Sequence, residues 1–115
     1  MLKSKIHRAK VTETNVDYVG SLTVDRRLLQ AADIFPYEKV HVVNTNNGSR
    51  FVTYVIESER QGEICVNGAA ARLAEPGDKI IIMAYGHFSA EELKEYSPAV
   101  VHVGEGNILL EILNK

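Results

Sequence analysis

Eight short segments rich in Val, Ile, Thr or Tyr follow one another along the chain, and this pattern restricts the fold more than any other feature. Turn residues bound the segments, and no repeat, low-complexity tract or linker separates them, so we expect one domain over residues 1–115. Strands this short suit a small barrel, although periodicity alone leaves a sandwich open. The predicted strands are residues 5–12, 18–24, 39–44, 51–57, 63–66, 79–85, 100–103 and 108–112.

Two short helices are expected among the strands. Asp25 can cap a helix over residues 26–32, because its carboxylate can accept a hydrogen bond from a free backbone N–H of the first turn. Ser89 and Glu92 have the spacing of a capping box, which predicts a second helix that ends before Pro98. Turn signals also stand at residues 46–48 and 76–78.

Charge and cysteine content exclude several classes of protein. Lys and Arg number 13 against 15 Asp and Glu, for a net charge of -2, whereas a nucleic-acid binder would carry a basic excess. The single cysteine, Cys65, cannot form an internal disulfide, and its strand-like neighbours predict a small core residue in a reducing compartment. No apolar run approaches the roughly 18 residues that span a membrane, so we expect a cytoplasmic protein without membrane or nucleic-acid partners.

General catalytic templates are missing from the sequence. It contains no nucleophile elbow, P-loop, zinc-protease motif or dinucleotide fingerprint. The histidines stand singly, at His7, His41, His87 and His102, and without paired spacing they predict no metal site.

The first cluster of reactive side chains lies in the first predicted strand. Strand alternation would send Lys5 and His7 to one face and Arg8 and Lys10 to the other. The alternative interpretation is a solvated cationic edge strand, which protects a sheet against aggregation.

Two further clusters combine a glycine or an arginine with a hydroxyl group. Gly20 interrupts a strand-like segment and indicates a bulge or a close backbone approach before Ser21, which on spacing alone is an ordinary residue. Arg50 and Tyr54 share one face of a predicted strand, where they could hold a carboxylate and relay a proton. They could equally form a surface pair.

Five motifs in series carry a resemblance that covers nearly the whole chain. They are Lys5-x-His7-Arg8-Ala9-x-Val11-Thr12, Tyr18-x-Gly20-Ser21 with Asp25 behind it, Asn47-Gly48-x-Arg50-x-x-Thr53-Tyr54, Val66-Asn67-Gly68-Ala69-Ala70-Ala71, and Pro76-Gly77-Asp78. In this order and spacing the chain resembles the aspartate 1-decarboxylases, pyruvoyl-dependent lyases that make β-alanine from L-aspartate for pantothenate (coenzyme A) biosynthesis. The stretch from His87 onward carries no motif of the family.

The resemblance implies a six-stranded double-psi β-barrel with short flanking helices, assembled as a homotetramer with active sites between subunits. It also implies a zymogen that cuts itself by autocatalytic serinolysis between Gly20 and Ser21, with or without a maturation factor. The products would be a β chain of residues 1–20 and an α chain of residues 21–115.

The resemblance assigns a role to each site residue. Ser21 would become the covalent pyruvoyl cofactor, which forms a Schiff base with the substrate amine, and Tyr54 would donate the proton that replaces CO₂. Self-processing would involve Gly20, Ser21 and Thr53. The Thr53 hydroxyl would donate a hydrogen bond to the oxyanion formed during the cut. Arg50 would bind the retained side-chain carboxylate of the substrate, and Lys5 would add a second cation near it. The residues that would position the substrate are Asn67, Gly68, Ala69 and Ala70. His7 and Tyr18 would support the site.

Two other functions remain open at this point. The chain could be a non-enzymatic small β-barrel module that binds a partner along an exposed edge. It could also decarboxylate another acidic amino acid such as glutamate, because one methylene is worth only about 1–3 kcal/mol of discrimination.

Overall fold

A computed structural model describes residues 1–113, so the last two residues of the predicted domain lie outside the described part. The strands are β1 (Leu2–Lys10), β2 (Glu13–Asn15), β3 (Leu22–Asp25), β4 (Lys39–Asn44), β5 (Arg50–Ser58), β6 (Ile64–Asn67), β7 (Lys79–Tyr85), β8 (Ala99–Val103) and β9 (Leu109–Leu113). One α-helix, α1 (Arg26–Ala31), and three 3₁₀ helices, Gly68–Leu73, Glu92–Glu95 and Glu105–Asn107, connect them.

The mainly β class with short helices is confirmed, and the structure is consistent with a barrel. The strand count differs from both predictions, the eight strands of the sequence pattern and the six strands of the barrel implied by the resemblance, because the described residues form nine strands. The additional strand, Glu13–Asn15, is too short and polar to show an apolar alternation.

Strand order explains how the sheet curves. Hydrogen-bonded neighbours follow the order β2-β6-β3-β5-β4-β7-β1-β8-β9, with β1 near one end and β2 at the other. Yet β1 ends at Lys10 and β2 begins at Glu13, so a few residues of chain must connect the two. The sheet therefore coils back on itself and encloses a core.

Alternation along the strands builds that core. In β4 and β7 every second residue is buried, as expected for strands with one face turned inward. The largest fully buried side chains are Ile6, Leu22, Leu28, Leu29, Ile64, Ile80, Ile82, Val11, Val24, Val40, Val42 and Val55.

One predicted strand begins later than expected. Residues 18–21 form a bend rather than the start of a strand, and β3 begins only at Leu22. Gly20 has φ +121°, which departs from strand geometry, and the Tyr18 N–H turns back to the Asn15 carbonyl at 3.3 Å. The prediction of a continuous strand over residues 18–24 was wrong for this reason.

A bulge in β1 corrects a second prediction. The pairing with β7 shifts between Ile6 and Ala9, and Arg8 takes a positive φ of 64°. The bulge moves Ala9 into the core and leaves Arg8 and Lys10 on the same outward side as His7. The alternation that would separate Arg8 and Lys10 from His7 is therefore broken.

The helix predictions are mostly confirmed. Asp25 is the N-cap of α1, and its carboxylate accepts hydrogen bonds from the N–H groups of Arg27 and Gly62. Ser89 and Glu92 form both hydrogen bonds of the capping box, but the element they start is a short 3₁₀ helix. Among residues 1–113, no helix combines the length and apolar character of a membrane span.

Candidate active site

Ser21 lies just before β3, where the chain enters the sheet between two other strands. Its first strand neighbour, Leu22, pairs in parallel with Val55 of β5 and antiparallel with Val66 of β6. The Ser21 carbonyl accepts a hydrogen bond from the Asn67 N–H at 2.8 Å. The half-buried serine is therefore fixed on its C-terminal side, while the preceding bend lies outside the sheet.

Gly20 occupies a position that only glycine fits without strain. Its φ of +121° lies in the region that side chains with a Cβ avoid. A Cβ built there would also lie 3.3 Å from the Ile56 Cδ1 atom, closer than ordinary packing allows. The positive φ and the close Ile56 side chain thus explain why a glycine precedes Ser21.

Asn67 is held by a hydrogen-bond network below the bend. Its side chain is 1% exposed; its amide donates to the Thr23 hydroxyl at 2.9 Å, and its carbonyl oxygen accepts from the Cys65 thiol at 2.9 Å. Burial, with Glu13 and Glu63 next, raises the pKa of the Cys65 thiol to about 11, so the thiol stays protonated and can donate. These bonds occupy the Asn67 side chain, and its backbone N–H is the group that reaches Ser21.

The residues after Asn67 lie against the same bend. Gly68 has φ +63°, and a Cβ there would lie 3.6 Å from the Tyr18 carbonyl oxygen. Ala69 is exposed, whereas Ala70 is half-buried and packs against the core. The structure therefore brings Tyr18, Gly20 and Ser21 together with Asn67 and Gly68.

Thr53 and Tyr54 point to opposite faces of β5. The parallel ladder with β3 begins at the Leu22 and Val55 pair, and Thr53 lies two residues before Val55 on the same inward side of β5. Arg50, Val52 and Tyr54 are exposed on the outward side, which confirms that Arg50 and Tyr54 share a face.

The outward side of the sheet forms a continuous surface, which we call the outer face. Register aligns Lys5 with Met83, Met83 with His41, and His41 with Val52 across four strands. The strands β7 and β4 thus stand between Lys5 and β5, which at about 4.8 Å per strand is a separation of roughly 14 Å. A single chain leaves Lys5 apart from Tyr54 and Arg50.

Several aromatic side chains of the outer face were not predicted as site residues. The Tyr37 ring lies 6.5 Å from the Tyr54 ring, and the His41 ring meets Tyr85 edge to face at 5.0 Å. His41 also lines a cavity of about 170 Å³ with Arg50 and Val52. Alternation within residues 39–44 places His41 outward, but its neighbours on β5 and β7 depend on a register that local sequence does not show.

His7 lies beside a second histidine and two cationic side chains, Lys5 and Arg8. Its ring centroid is 5.4 Å from that of His102, its partner in the parallel pairing of β1 with β8. Burial first, then Lys5, His102 and Arg8, lower the pKa of His7. His7 is therefore neutral near pH 7.

The fold and the site define a class of protein: a small, mainly β domain with a constrained Gly-Ser bend and with arginine and tyrosine exposed on one strand. Comparison with known proteins agrees with that class. A family model described as aspartate decarboxylase matches residues 1–110. Aspartate 1-decarboxylase of Campylobacter jejuni strain 81-176 is 59% identical over 114 residues, covering 99% of this chain and 90% of the relative.

Two further relatives come from other bacteria. Aspartate 1-decarboxylase of Acetivibrio thermocellus is 60% identical over 97% of this chain and 90% of its own. The protein of the same name from Staphylococcus aureus strain JH9 is 53% identical over 100% of this chain and 91% of its own. The chain belongs to the aspartate decarboxylase family and is a carboxy-lyase.

Proposed function

We propose that this enzyme removes CO₂ from L-aspartate to give β-alanine, using a pyruvoyl group that it makes from its own Ser21. The family membership supports aspartate decarboxylation. The observation that carries the finer proposal is the Gly20-Ser21 bend, in which a glycine at φ +121° precedes a serine whose carbonyl is held by the Asn67 N–H.

Self-processing begins with the Ser21 hydroxyl. Its oxygen attacks the Gly20 carbonyl carbon, the peptide C–N bond breaks, and the acyl group moves from nitrogen to oxygen to give an ester. Elimination across the Ser21 Cα and Cβ then releases residues 1–20 as a carboxylate and leaves dehydroalanine. Water converts this to a terminal pyruvoyl group with loss of ammonia. Such intramolecular attacks gain effective molarities of about 10⁵–10⁸ M when the geometry is right.

The surroundings of the bend fit that sequence of steps. Gly20 lets the backbone take a conformation that a side chain would strain, and the Asn67 N–H fixes Ser21 from the other side. Thr53 lies two residues before Val55, the strand partner of Leu22, and its hydroxyl is our candidate donor to the oxyanion formed at the Gly20 carbonyl. Donors held in place before the reaction stabilise such charge best.

Once formed, the pyruvoyl group supplies an electron sink for the pair of electrons that departing CO₂ leaves behind. Arg50 holds the side-chain carboxylate of the substrate through paired N–H donors, which leaves the α-carboxylate free to depart. The Tyr54 hydroxyl, on the same face of β5, gives the proton to the α-carbon. Gly68 and Ala69 leave room for the substrate beside the bend.

Lys5 enters the site from a neighbouring subunit in this proposal. Within one chain two strands, β7 and β4, separate it from β5, and the outer face of these strands exposes large apolar groups, with Val52 at 52% and Tyr85 at 45%. Apolar surface of this kind is typical of a face that a partner covers. We therefore propose a homotetramer whose subunits complete each other's sites, acting in the cytoplasm in pantothenate biosynthesis.

Intact-mass spectrometry and product analysis test the proposal together. Freshly expressed chain should convert on warming into two pieces of 20 and 95 residues, the larger lacking its terminal amine, and should then form β-alanine from L-aspartate. Ser21→Ala should stay uncut and inactive, whereas Ser49→Ala, in the turn between β4 and β5, should process normally. An uncut chain that nevertheless makes β-alanine would overturn the pyruvoyl proposal, and a processed chain that prefers glutamate would overturn the substrate.

A further inference from the structure

A cavity of about 270 Å³ lies between the bulge of β1 and the turn that joins β8 to β9. Cationic and histidine side chains make up much of its wall, and the Glu105 carboxylate is among its lining groups. We call it the basic cavity. Its ionisable lining residues are His7, Arg8, Lys10, Lys79, His102 and Glu105.

The charge in this cavity is opposite to that of the whole protein. The chain carries a net charge of -2, yet Arg8, Lys10 and Lys79 meet here against the single carboxylate of Glu105. None of the ion pairs within residues 1–113 uses Arg8, Lys10 or Lys79. Uncompensated cations gathered around a concave site attract an anion.

The Arg8, Lys10 and Lys79 side chains are exposed, and the backbone beside them is held in place by a buried asparagine. Asn107, 2% exposed, accepts from the Lys10 N–H at 2.7 Å and donates to the Lys10 carbonyl at 2.8 Å and to the Gly62 carbonyl at 2.9 Å. A Cβ on Gly62 would clash with the Gly106 carbonyl oxygen. These contacts fix the turn against β1, so the backbone on both sides of the cavity has a defined position.

Two features of the wall lack a partner or carry strain. The Nδ1 atom of His7 is buried and forms no hydrogen bond with the described residues. Arg8 takes φ 64°, a conformation that costs energy for a residue with a Cβ and that turns its side chain outward beside His7 and Lys10. An anion in the cavity would accept a hydrogen bond from the Nδ1 atom once His7 is protonated. Contact of the anion with Arg8 would offset the energy cost of the strained bulge.

We propose that the basic cavity binds a phosphate group, either as inorganic phosphate or as the phosphate of a small phosphomonoester. Three permanent cations match a dianion better than a single carboxylate, and the Arg8 guanidinium suits a phosphate through paired N–H donors. The volume falls just below the roughly 300–1,000 Å³ of sites for drug-sized ligands, so it suits one small group. Arg50 and Tyr54 do not line it, and the inference does not depend on the proposed reaction.

Calorimetric titration of the full-length protein with inorganic phosphate, and separately with glycerol phosphate, tests the site. Lys79→Gln and Arg8→Gln should each weaken binding by about tenfold or more, because each removes a charge-assisted hydrogen bond. Lys79→Gln should disturb folding less than Arg8→Gln, because within the described residues only the backbone of Lys79 forms hydrogen bonds, with Thr45 and Asn46. Neither Lys94, which pairs with Glu91, nor Arg50 lines the cavity, so Lys94→Gln and Arg50→Gln should bind as the unchanged protein does.

The two ligands separate the possible sources. Equal affinities indicate that the phosphate group alone is recognised, and tighter binding of glycerol phosphate indicates a phosphorylated metabolite; both support the site. Absence of binding at millimolar concentration would overturn it. Loss of binding in Arg50→Gln with retention in Lys79→Gln would also overturn it, because the anion would then occupy the outer face.

Discussion

The Asn67 N–H donates to the Ser21 carbonyl across 2.8 Å, and this bond joins the end of β6 to the residue proposed to become the cofactor. Its geometry depends on a second layer, in which Thr23 and Cys65 hold the buried Asn67 side chain. The position of the reacting serine thus depends on hydrogen bonds to a buried side chain inside the sheet. The predictions below separate this support from the chemistry itself.

Replacing Gly20 with Ala should slow self-cleavage by about 5- to 150-fold, since backbone strain of about 1–3 kcal/mol opposes the reactive conformation. The added Cβ would also press on the Ile56 side chain at 3.3 Å. A time course of intact mass gives the rate. Gly48→Ala is the matched control and should cut at the normal rate. Gly48 also has a positive φ of 75°, but a Cβ added there would meet no other described part of the chain within 4 Å. Equal rates in both variants would contradict the role of Gly20.

Arg50→Lys should lower kcat/KM for L-aspartate by about tenfold or more, mainly through a higher KM, because lysine cannot reproduce the paired hydrogen bonds of a guanidinium. The chain should still cut itself, because Arg50 takes no part in the proposed attack of the Ser21 hydroxyl on the Gly20 carbonyl. Steady-state formation of β-alanine measures the effect, with Arg60→Lys as the control. A wild-type KM would remove Arg50 from the substrate site.

Tyr54→Phe should process fully but lose about 10²–10⁴-fold in kcat, the usual contribution of a positioned proton donor. Its ring neighbour Tyr37, 6.5 Å away, offers a comparison of similar chemistry. Tyr37→Phe should keep most of the activity. If both variants lose activity equally, the hydroxyl of Tyr54 has no special part in protonation.

Thr23→Val should destabilise the fold by about 1–3 kcal/mol, because it leaves the buried Asn67 amide without its acceptor. Urea denaturation of the uncut Ser21→Ala background measures the free energy of unfolding without interference from cleavage. Thr45→Val, which removes an exposed hydroxyl bonded to the Lys79 carbonyl, should cost less. Equal losses would show that the Asn67 network adds no particular stability.

The pKa of His7 should make the protein lose stability on acidification. Burial first, then Lys5, His102 and Arg8, lower this pKa below 6.5, and Lys79 on β7 adds a further cation to the cavity that His7 lines. The unfolded chain therefore takes up its proton first as pH falls below 6.5, which favours unfolding until the folded form is protonated too.

His7→Gln should remove that share of acid sensitivity. The free energy of unfolding of the unchanged protein should fall relative to the variant as pH drops below 6.5, and the two should run parallel at higher pH. Phosphate at the basic cavity should reduce the difference, because it stabilises protonated His7. Parallel curves across the whole range would contradict the lowered pKa.

Much of the fold could be predicted from local pattern. The strands over residues 39–44 and 79–85 match the structure, because an alternating apolar pattern lies between clear turn residues. Asp25 caps α1 as predicted, since capping depends on neighbours in sequence. The β1 bulge was missed because an inserted residue shows only in the register with β7.

The site could be predicted only in part. Gly20 and Ser21 stand together in the sequence, and Arg50 and Tyr54 share a face by simple alternation. The row from Lys5 through Met83 to His41 depends on pairings among β1, β7 and β4, which no local pattern reports. The same holds for the basic cavity, whose walls come from three strands and a turn.

The position of β1 has a consequence for the proposed cut. Residues 1–20 contain β1, which is hydrogen-bonded to β7 on one side and β8 on the other, and β2, which pairs with β6. Breaking the bond before Ser21 would leave this peptide hydrogen-bonded within the sheet. The two pieces would therefore stay together as a noncovalent complex. Folding must then precede scission, because a free peptide of this length could regain its place only by fragment complementation.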